Sequence, residues 1–139
     1  MRDEGQRKVL LLEDDRLYSL FLRQYLERLG YAVVEAGSLL EFKTLIRAEQ
    51  PDALISDVGF AEDPGPTARY LTLGGMMALD WMRNQPLLRQ PTARIVISAA
   101  MTDELRGQFE ARQVTAIFEK PFEPDRLAGM LRQSIARQP

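Results

Sequence analysis

A doubly wound α/β domain, with five parallel strands each followed by a helix, is the architecture this sequence predicts. Two observations carry that expectation. Short apolar runs that end abruptly in a polar residue recur along the chain, and amphipathic stretches at helical spacing separate them. An apolar run bounded by a polar switch reads as a strand buried on both faces. Strand and helix in strict alternation imply right-handed crossovers and helices on both faces of one parallel sheet. The length of 139 residues suits a single domain, 1–139, with a core of about residues 8–137.

The first strand is Val9-Leu10-Leu11-Leu12, followed directly by Glu13-Asp14-Asp15. From Leu17 to Leu29 apolar residues recur at helical spacing (Tyr18, Phe21, Leu22, Tyr25, Leu26, Leu29), and Gly30 follows as a C-cap. Tyr31 to Glu35 reads as a second strand. Ser38 caps the next helix, with Glu41 completing a capping box and Leu39, Phe42, Leu45 and Ile46 on one face. Pro51-Asp52 ends it. Ala53 to Asp57 is a third strand that finishes in a carboxylate. Gly59, Pro64, Gly65 and Pro66 mark residues 58–73 as a long irregular loop. A helix resumes around Gly75, with Met76, Leu79 and Met82 on one face. Arg94 to Ser98 is the fourth strand, Thr102 to Arg112 a polar helix, Val114 to Glu119 the fifth strand, and Pro124 to Ala136 the closing helix.

Composition excludes several classes of function. Lys and Arg total 18 against 20 Asp and Glu, a net charge of -2, so nothing supports nucleic-acid binding by this domain. The absence of cysteine removes disulfides, thiolate metal sites and cysteine nucleophiles; the absence of histidine removes the commonest general base and every histidine metal site. No apolar segment reaches membrane-spanning length, and the charged start Met1-Arg2-Asp3-Glu4 is no signal peptide, so a cytoplasmic protein is expected.

Chemistry is therefore left to carboxylates, hydroxyls, lysine and a metal, and these gather at strand ends. Strand one ends in Glu13-Asp14-Asp15, strand three in Asp57, strand four in Ser98 and strand five in Lys120. In a parallel sheet these ends share one edge, where open α/β folds bind ligands. Clustered carboxylates repel, which favours a cation among them, and a hard oxygen-seeking ion such as Mg²⁺ is the natural one. The chain has only three lysines, Lys8, Lys43 and Lys120, so one at a strand end does not follow from abundance. Each residue alone has a plain structural explanation: Asp57 capping a turn, Ser98 capping the next helix, Lys120 as a surface charge. Their coincidence on one edge does not.

The set resembles the receiver domain of two-component response regulators, from Lys8 to the last helix. The resemblance implies the flavodoxin-like strand order 2-1-3-4-5. It also implies that Glu13 and Asp14 are an acidic pair, Asp57 the phosphorylated aspartate, Ser98 the Ser/Thr switch position and Lys120-Pro121 the Lys-Pro signature. Mg²⁺ would be held by Asp14 and Asp57, by Glu13 through water, and by the backbone carbonyl of Gly59. Asp57 would act as nucleophile, Lys120 as a compact positive charge on the phosphoryl group, and Ser98 as a hydrogen-bond donor to it. Asp15 reads as a helix N-cap rather than a ligand, and the Lys120–Pro121 bond is expected to be cis. The implied partners are a sensor histidine kinase or histidine phosphotransfer protein, and an output protein or domain. A homodimer through helix four, strand five and helix five is a further implied contact, and no membrane is involved. The module would work through protein contacts or form part of a larger protein.

Three features depart from the family pattern. Receivers usually carry an aromatic residue three before the signature lysine; Ile117 stands there, with Phe118 expected on the opposite face by strand alternation. The family usually reaches a glycine about eight residues past the aspartate, so its counterpart Gly75 marks an insertion of roughly ten residues. Both a lid or partner-recognition element and a disordered, tolerated insertion are compatible with its composition. Gln113 and Val114 replace the glycine usual before strand five, which alters a helix C-cap.

Two other functions compete with a phosphoacceptor that switches protein contacts. A degenerate receiver would keep the fold and act as an interaction module without phosphorylation, as Ile117 and the long loop would allow. A Mg²⁺-dependent phosphatase of the haloacid dehalogenase kind would also use an aspartate nucleophile. Its Asp-x-Asp pattern belongs on the first strand, and Glu13-Asp14-Asp15-Arg16 does not supply it.

Overall fold

The computed structural model describes residues 5–136; the first four residues and residue 137, where the expected core ends, lie outside the described residues. Its centre is a five-stranded sheet built from β1 (Lys8–Leu12), β2 (Ala32–Ala36), β3 (Ala53–Asp57), β6 (Ala93–Ser98) and β7 (Ala116–Glu119). All pairings within it are parallel, in the order β2-β1-β3-β6-β7. This is the expected 2-1-3-4-5, with two extra strands inserted in the count between the third and fourth.

Successive residues of the central strands feed opposite cores, as the two-residue repeat of a strand requires. Leu10, Leu12, Leu54 and Val96 pack against α2 (Leu39–Glu49), α3 (Gly74–Arg83) and α4 (Asp103–Ala111) through Phe42, Ile46, Met76, Leu79, Met82 and Phe109. Val9, Leu11, Ile55, Ile95 and Ile97 pack against α1 (Arg16–Arg28) and α5 (Pro124–Ala136) through Leu22, Leu26, Leu127, Leu131 and Ile135. Each such side chain, fully buried, contributes roughly 1.5–3 kcal/mol of transfer free energy.

The helix ends are set locally. Asp15 caps α1 by accepting from Leu17 N at 3.1 Å and Tyr18 N at 3.2 Å. At its other end Gly30 has φ +100, and Tyr31 N reaches back to Leu26 O at 3.2 Å, the glycine-terminated helix stop that the sequence predicts. Ser38 Oγ accepts from Glu41 N at 3.2 Å, and Glu41 Oε1 in turn accepts from Ser38 Oγ and Gly37 N, both at 3.1 Å. Thr102, not Ser98, caps α4, accepting from Leu105 N at 3.1 Å. Where the family has glycine, Gln113 takes the left-handed conformation at φ 61, so the chain turn survives without the residue that favours it.

Residues 58–73 differ from the irregular loop that their glycines and prolines predict. They contain a short antiparallel hairpin, β4 (Phe60–Ala61) with β5 (Tyr70–Leu71), in which Phe60 opposes Leu71 and Ala61 opposes Tyr70. Phe60 is fully buried and Leu71 nearly so, and the Phe60 ring packs where Gly74 leaves no Cβ. Glu62 O accepts from Leu40 N at 3.0 Å, and Ala61 bridges to Ser38, tying the hairpin to the start of α2. Two apolar anchors and these backbone bonds order a segment whose turn-rich composition conceals them. The insertion is not a disordered one.

Candidate active site

The parallel register brings the ends of β1, β3, β6 and β7 to one edge. Lys120, just past β7, places Nζ 2.6 Å from Glu13 Oε1 and 3.1 Å from Asp57 Oδ2. Glu13 is almost wholly buried, with 2% of its side chain exposed against 18% for Asp57 and 19% for Lys120. The cis Lys120–Pro121 bond that the resemblance implies is present. Lys120 N also donates to Ser98 O at 2.7 Å, fixing the end of β7 against that of β6.

Burial drives the Glu13 carboxyl up to about 7, with the hydrogen bond from Lys120 pulling down and Asp57 pushing further up. The Asp14 carboxyl is also raised, first by burial and then by the charge of Asp57. Burial alone would lower the Lys120 ammonium, but the hydrogen bonds and charges of Glu13 and Asp57 outweigh it and raise it. Two carboxylates, Glu13 and Asp57, thus share one ammonium.

The other expected site residues take their places unevenly. Asp57 Oδ1 accepts from Val58 N at 2.7 Å, leaving Oδ2 to Lys120. Ser98 lies at the same edge but is engaged locally: its hydroxyl donates to Ala100 O at 2.7 Å and accepts from Ala100 N at 3.1 Å. Ile117 packs into the core on the α4 side and Phe118 into that on the α1–α5 side, the opposition that strand alternation predicts. Gly75 approaches the end of β3 closely, since a Cβ there would stand 2.5 Å from Asp57 O. Gly59 is buried and directly precedes the hairpin.

Two residues at the site escape the sequence reading. Tyr18, which helical spacing assigns to the apolar face of α1, sets its ring 4.3 Å from Lys120 Nζ, a cation–π contact. Its position in the first turn of the helix behind the acidic run is the signal that would have found it. Tyr70, from the insertion, leans over Gly59; the composition of the insertion is compatible with a lid over Asp57, but no period singles out this residue. A cleft of about 580 Å³ is lined by Glu13, Asp14, Arg16, Glu41, Ala61 and Asp63 among others.

Carboxylate oxygens suit a hard divalent ion, and the raised Glu13 and Asp14 carboxyls are those an added cation would relieve. Among the described residues no three acidic groups stand close enough together to ligate one ion directly. Glu13 is taken up by Lys120. Asp14 and Asp57 with a main-chain carbonyl and water are what remains, a set of the size Mg²⁺ accepts.

A model of the response regulator receiver domain matches residues 9–132. The chain belongs to that family. Phosphoacceptor signalling in two-component systems is the general role of receiver domains, and interaction with histidine kinases and output domains comes with it. Among solved structures, this receiver is similar to a putative response regulator from Chloroflexus aurantiacus J-10-fl (26% identity, 96% of this chain and 100% of that one, TM-score 0.79). It also resembles the signal receiver domain of a putative Luxo repressor protein from Vibrio parahaemolyticus (21%, 95% and 92%, TM-score 0.76). A third is the receiver domain of sensor histidine kinase PA1611 from Pseudomonas aeruginosa PAO1, described with a magnesium ion coordinated in its active-site cleft (21%, 95% and 99%, TM-score 0.75). The last two likenesses establish fold alone. No curated protein sequence matches the chain. Among the described residues no helix is long and apolar enough to cross a membrane.

Proposed function

We propose that this receiver accepts a phosphoryl group on Asp57 from a partner phosphohistidine, with Mg²⁺ bound, and that the phosphorylated aspartate changes its protein contacts. The observation that carries this reading is the Lys120 ammonium, 2.6 Å from Glu13 and 3.1 Å from Asp57, at an edge where four strand ends meet. A carboxylate oxygen of Asp57 attacks phosphorus as the bond to the donor imidazole nitrogen breaks, its electron pair returning to that nitrogen. Asp14 and Asp57 would hold Mg²⁺, with the Gly59 carbonyl and, through water, Glu13. The ion when bound would neutralise charge on the phosphoryl oxygens. Lys120, already held between two carboxylates and against Tyr18, supplies positive charge without reorganising. Ser98 would exchange its bonds to Ala100 for one to a phosphoryl oxygen, coupling the site to the loop before α4. The domain gains and loses its own phosphoryl group rather than turning over a substrate, and it works in the cytoplasm.

Incubation with acetyl phosphate and Mg²⁺, followed by mass mapping, should place one phosphoryl group on Asp57, and Asp57→Asn should abolish it. No uptake at saturating donor and Mg²⁺ would sink the reading. A second reading, a receiver that signals without phosphorylation, has Ile117 in its favour, since that side chain packs against the core on the α4 side and offers no polar tip to a switch. Uptake at Asp57 with no change in oligomeric state or partner contacts would favour that alternative.

A further inference from the structure

The insertion after Asp57 has no part in the chemistry above, yet it delivers a side chain to that chemistry's edge. Within β4–β5, Phe60 and Leu71 turn into the core, and Tyr70, one residue along, turns the other way. Its ring lies on Gly59. A Cβ at that position would be 2.5 Å from the Tyr70 hydroxyl and 3.0 Å from the ring carbon bearing it, so only glycine fits while the ring keeps its place. With 59% of its surface exposed, Tyr70 is an outer wall and not a core residue. Its hydroxyl makes no hydrogen bond to another described residue, leaving its proton and lone pairs available. Burial first, and then the charges of Asp14, Asp57 and Glu13, raise the Tyr70 phenol, with Lys120 opposing them. The hairpin is fixed independently of Tyr70, by Phe60, Leu71 and the Glu62–Arg69 pair.

We propose that Tyr70 is a positioning residue of the phosphoryl site: held over Gly59 by the inserted hairpin, it walls the cation side of Asp57, hydrogen-bonds through its hydroxyl to the hydrated ion, and shields the aspartyl phosphate from water. The inference rests on the reading of Asp57 as phosphoacceptor. In the hydrolysis it retards, a water oxygen bonds to phosphorus as the bond from the Asp57 oxygen breaks. The electron pair returns to the carboxylate, a proton passes to solvent, and inorganic phosphate leaves.

Three variants test it on the whole chain: Tyr70→Ala, Tyr70→Phe and Gly59→Ala. The quantities read are thermal midpoint, Mg²⁺ dissociation constant of the unphosphorylated protein, and lifetime of the phosphoryl group after labelling with acetyl phosphate. Tyr70→Ala should keep the midpoint, weaken Mg²⁺ roughly tenfold, as loss of an outer-shell partner does, and shorten the lifetime several-fold. Tyr70→Phe should share the weaker Mg²⁺ binding but keep the lifetime, because the ring remains. Gly59→Ala pushes the ring aside, so it should shorten the lifetime as Tyr70→Ala does, and the double variant should be no shorter-lived than either single one. A Tyr70→Ala variant in which either Mg²⁺ affinity or lifetime stays at the wild-type value overturns the inference. If Tyr70→Ala lowers the midpoint, the Mg²⁺ affinity of Tyr70→Phe decides. If the wild type takes up no phosphoryl group, the reading of Asp57 fails, and the Mg²⁺ titrations still decide the role of Tyr70.

Discussion

At the carboxyl edge of the sheet, Glu13, Asp57 and Lys120 meet from positions as much as 107 residues apart, around a glutamate with 2% of its side chain exposed. The hairpin beside them closes within residues 60–71, and its side-chain ion pair, Glu62 with Arg69, is exposed at 42% and 69%. The two regions hold their functional side chains by different physics. The edge is held by charge, buried enough for Coulomb attraction and desolvation both to be large. The hairpin is held by two apolar anchors, with its ion pair screened by water. A site built by charge responds to pH and cations; a wall held by apolar anchors responds to cavities.

The contrast can be broken at its strongest point first. Phe60→Ala removes the fully buried hairpin anchor and should cost about 4 kcal/mol in urea denaturation. A loss below about 1 kcal/mol, the scale of a surface change, would show that other contacts hold the hairpin. Lys120→Met at pH 7.5 without divalent cations should cost about 3 kcal/mol, because it leaves a buried carboxylate uncompensated. Added Mg²⁺ should return part of that loss, which a purely packing role of Lys120 would not allow.

The pH dependence is smaller and has a definite sign. Glu13 in the folded domain titrates near 7, against an ordinary 4.5. The folded state therefore binds the extra proton between those values, and stability is full below about 4.5 and falls as pH rises through about 7. The metal-free domain should melt higher at pH 5 than at pH 8, and Glu13→Gln should flatten that slope. An unchanged slope in the variant would place the titration elsewhere. Smallest of all, Arg69→Ala should change stability by less than about 1 kcal/mol, since the pair it breaks is solvent-exposed. A larger effect would erase the distinction between the two regions.

Much of the edge was legible because strand ends are legible. A buried strand is a largely apolar run that gives way to polar residues at its end, and parallel order sends all such ends to one side; Asp57, Ser98 and Lys120 stand at or just past such ends. Orientation does not follow. Ser98 stands at the edge, but its hydroxyl turns to Ala100, a choice between two local hydrogen bonds that spacing cannot make. Tyr18 reads as one more apolar position, because helical periodicity does not distinguish a ring in the core from a ring against an ammonium. The hairpin was hidden more deeply. Two-residue strands carry no period, and only the buried faces of Phe60 and Leu71 reveal that they anchor it.

By itself, then, the sequence determined the parallel sheet, the edge on which its carboxylates gather and the lysine that joins them, because periodicity and strand order are local properties repeated along the chain. Tertiary structure alone decided which oxygen of Asp57 faces Lys120, where the Ser98 hydroxyl points, and that Tyr70 rests on Gly59. Those are contacts between residues distant in sequence or turned by a single dihedral angle, settled by packing and charge only once the whole fold is in place.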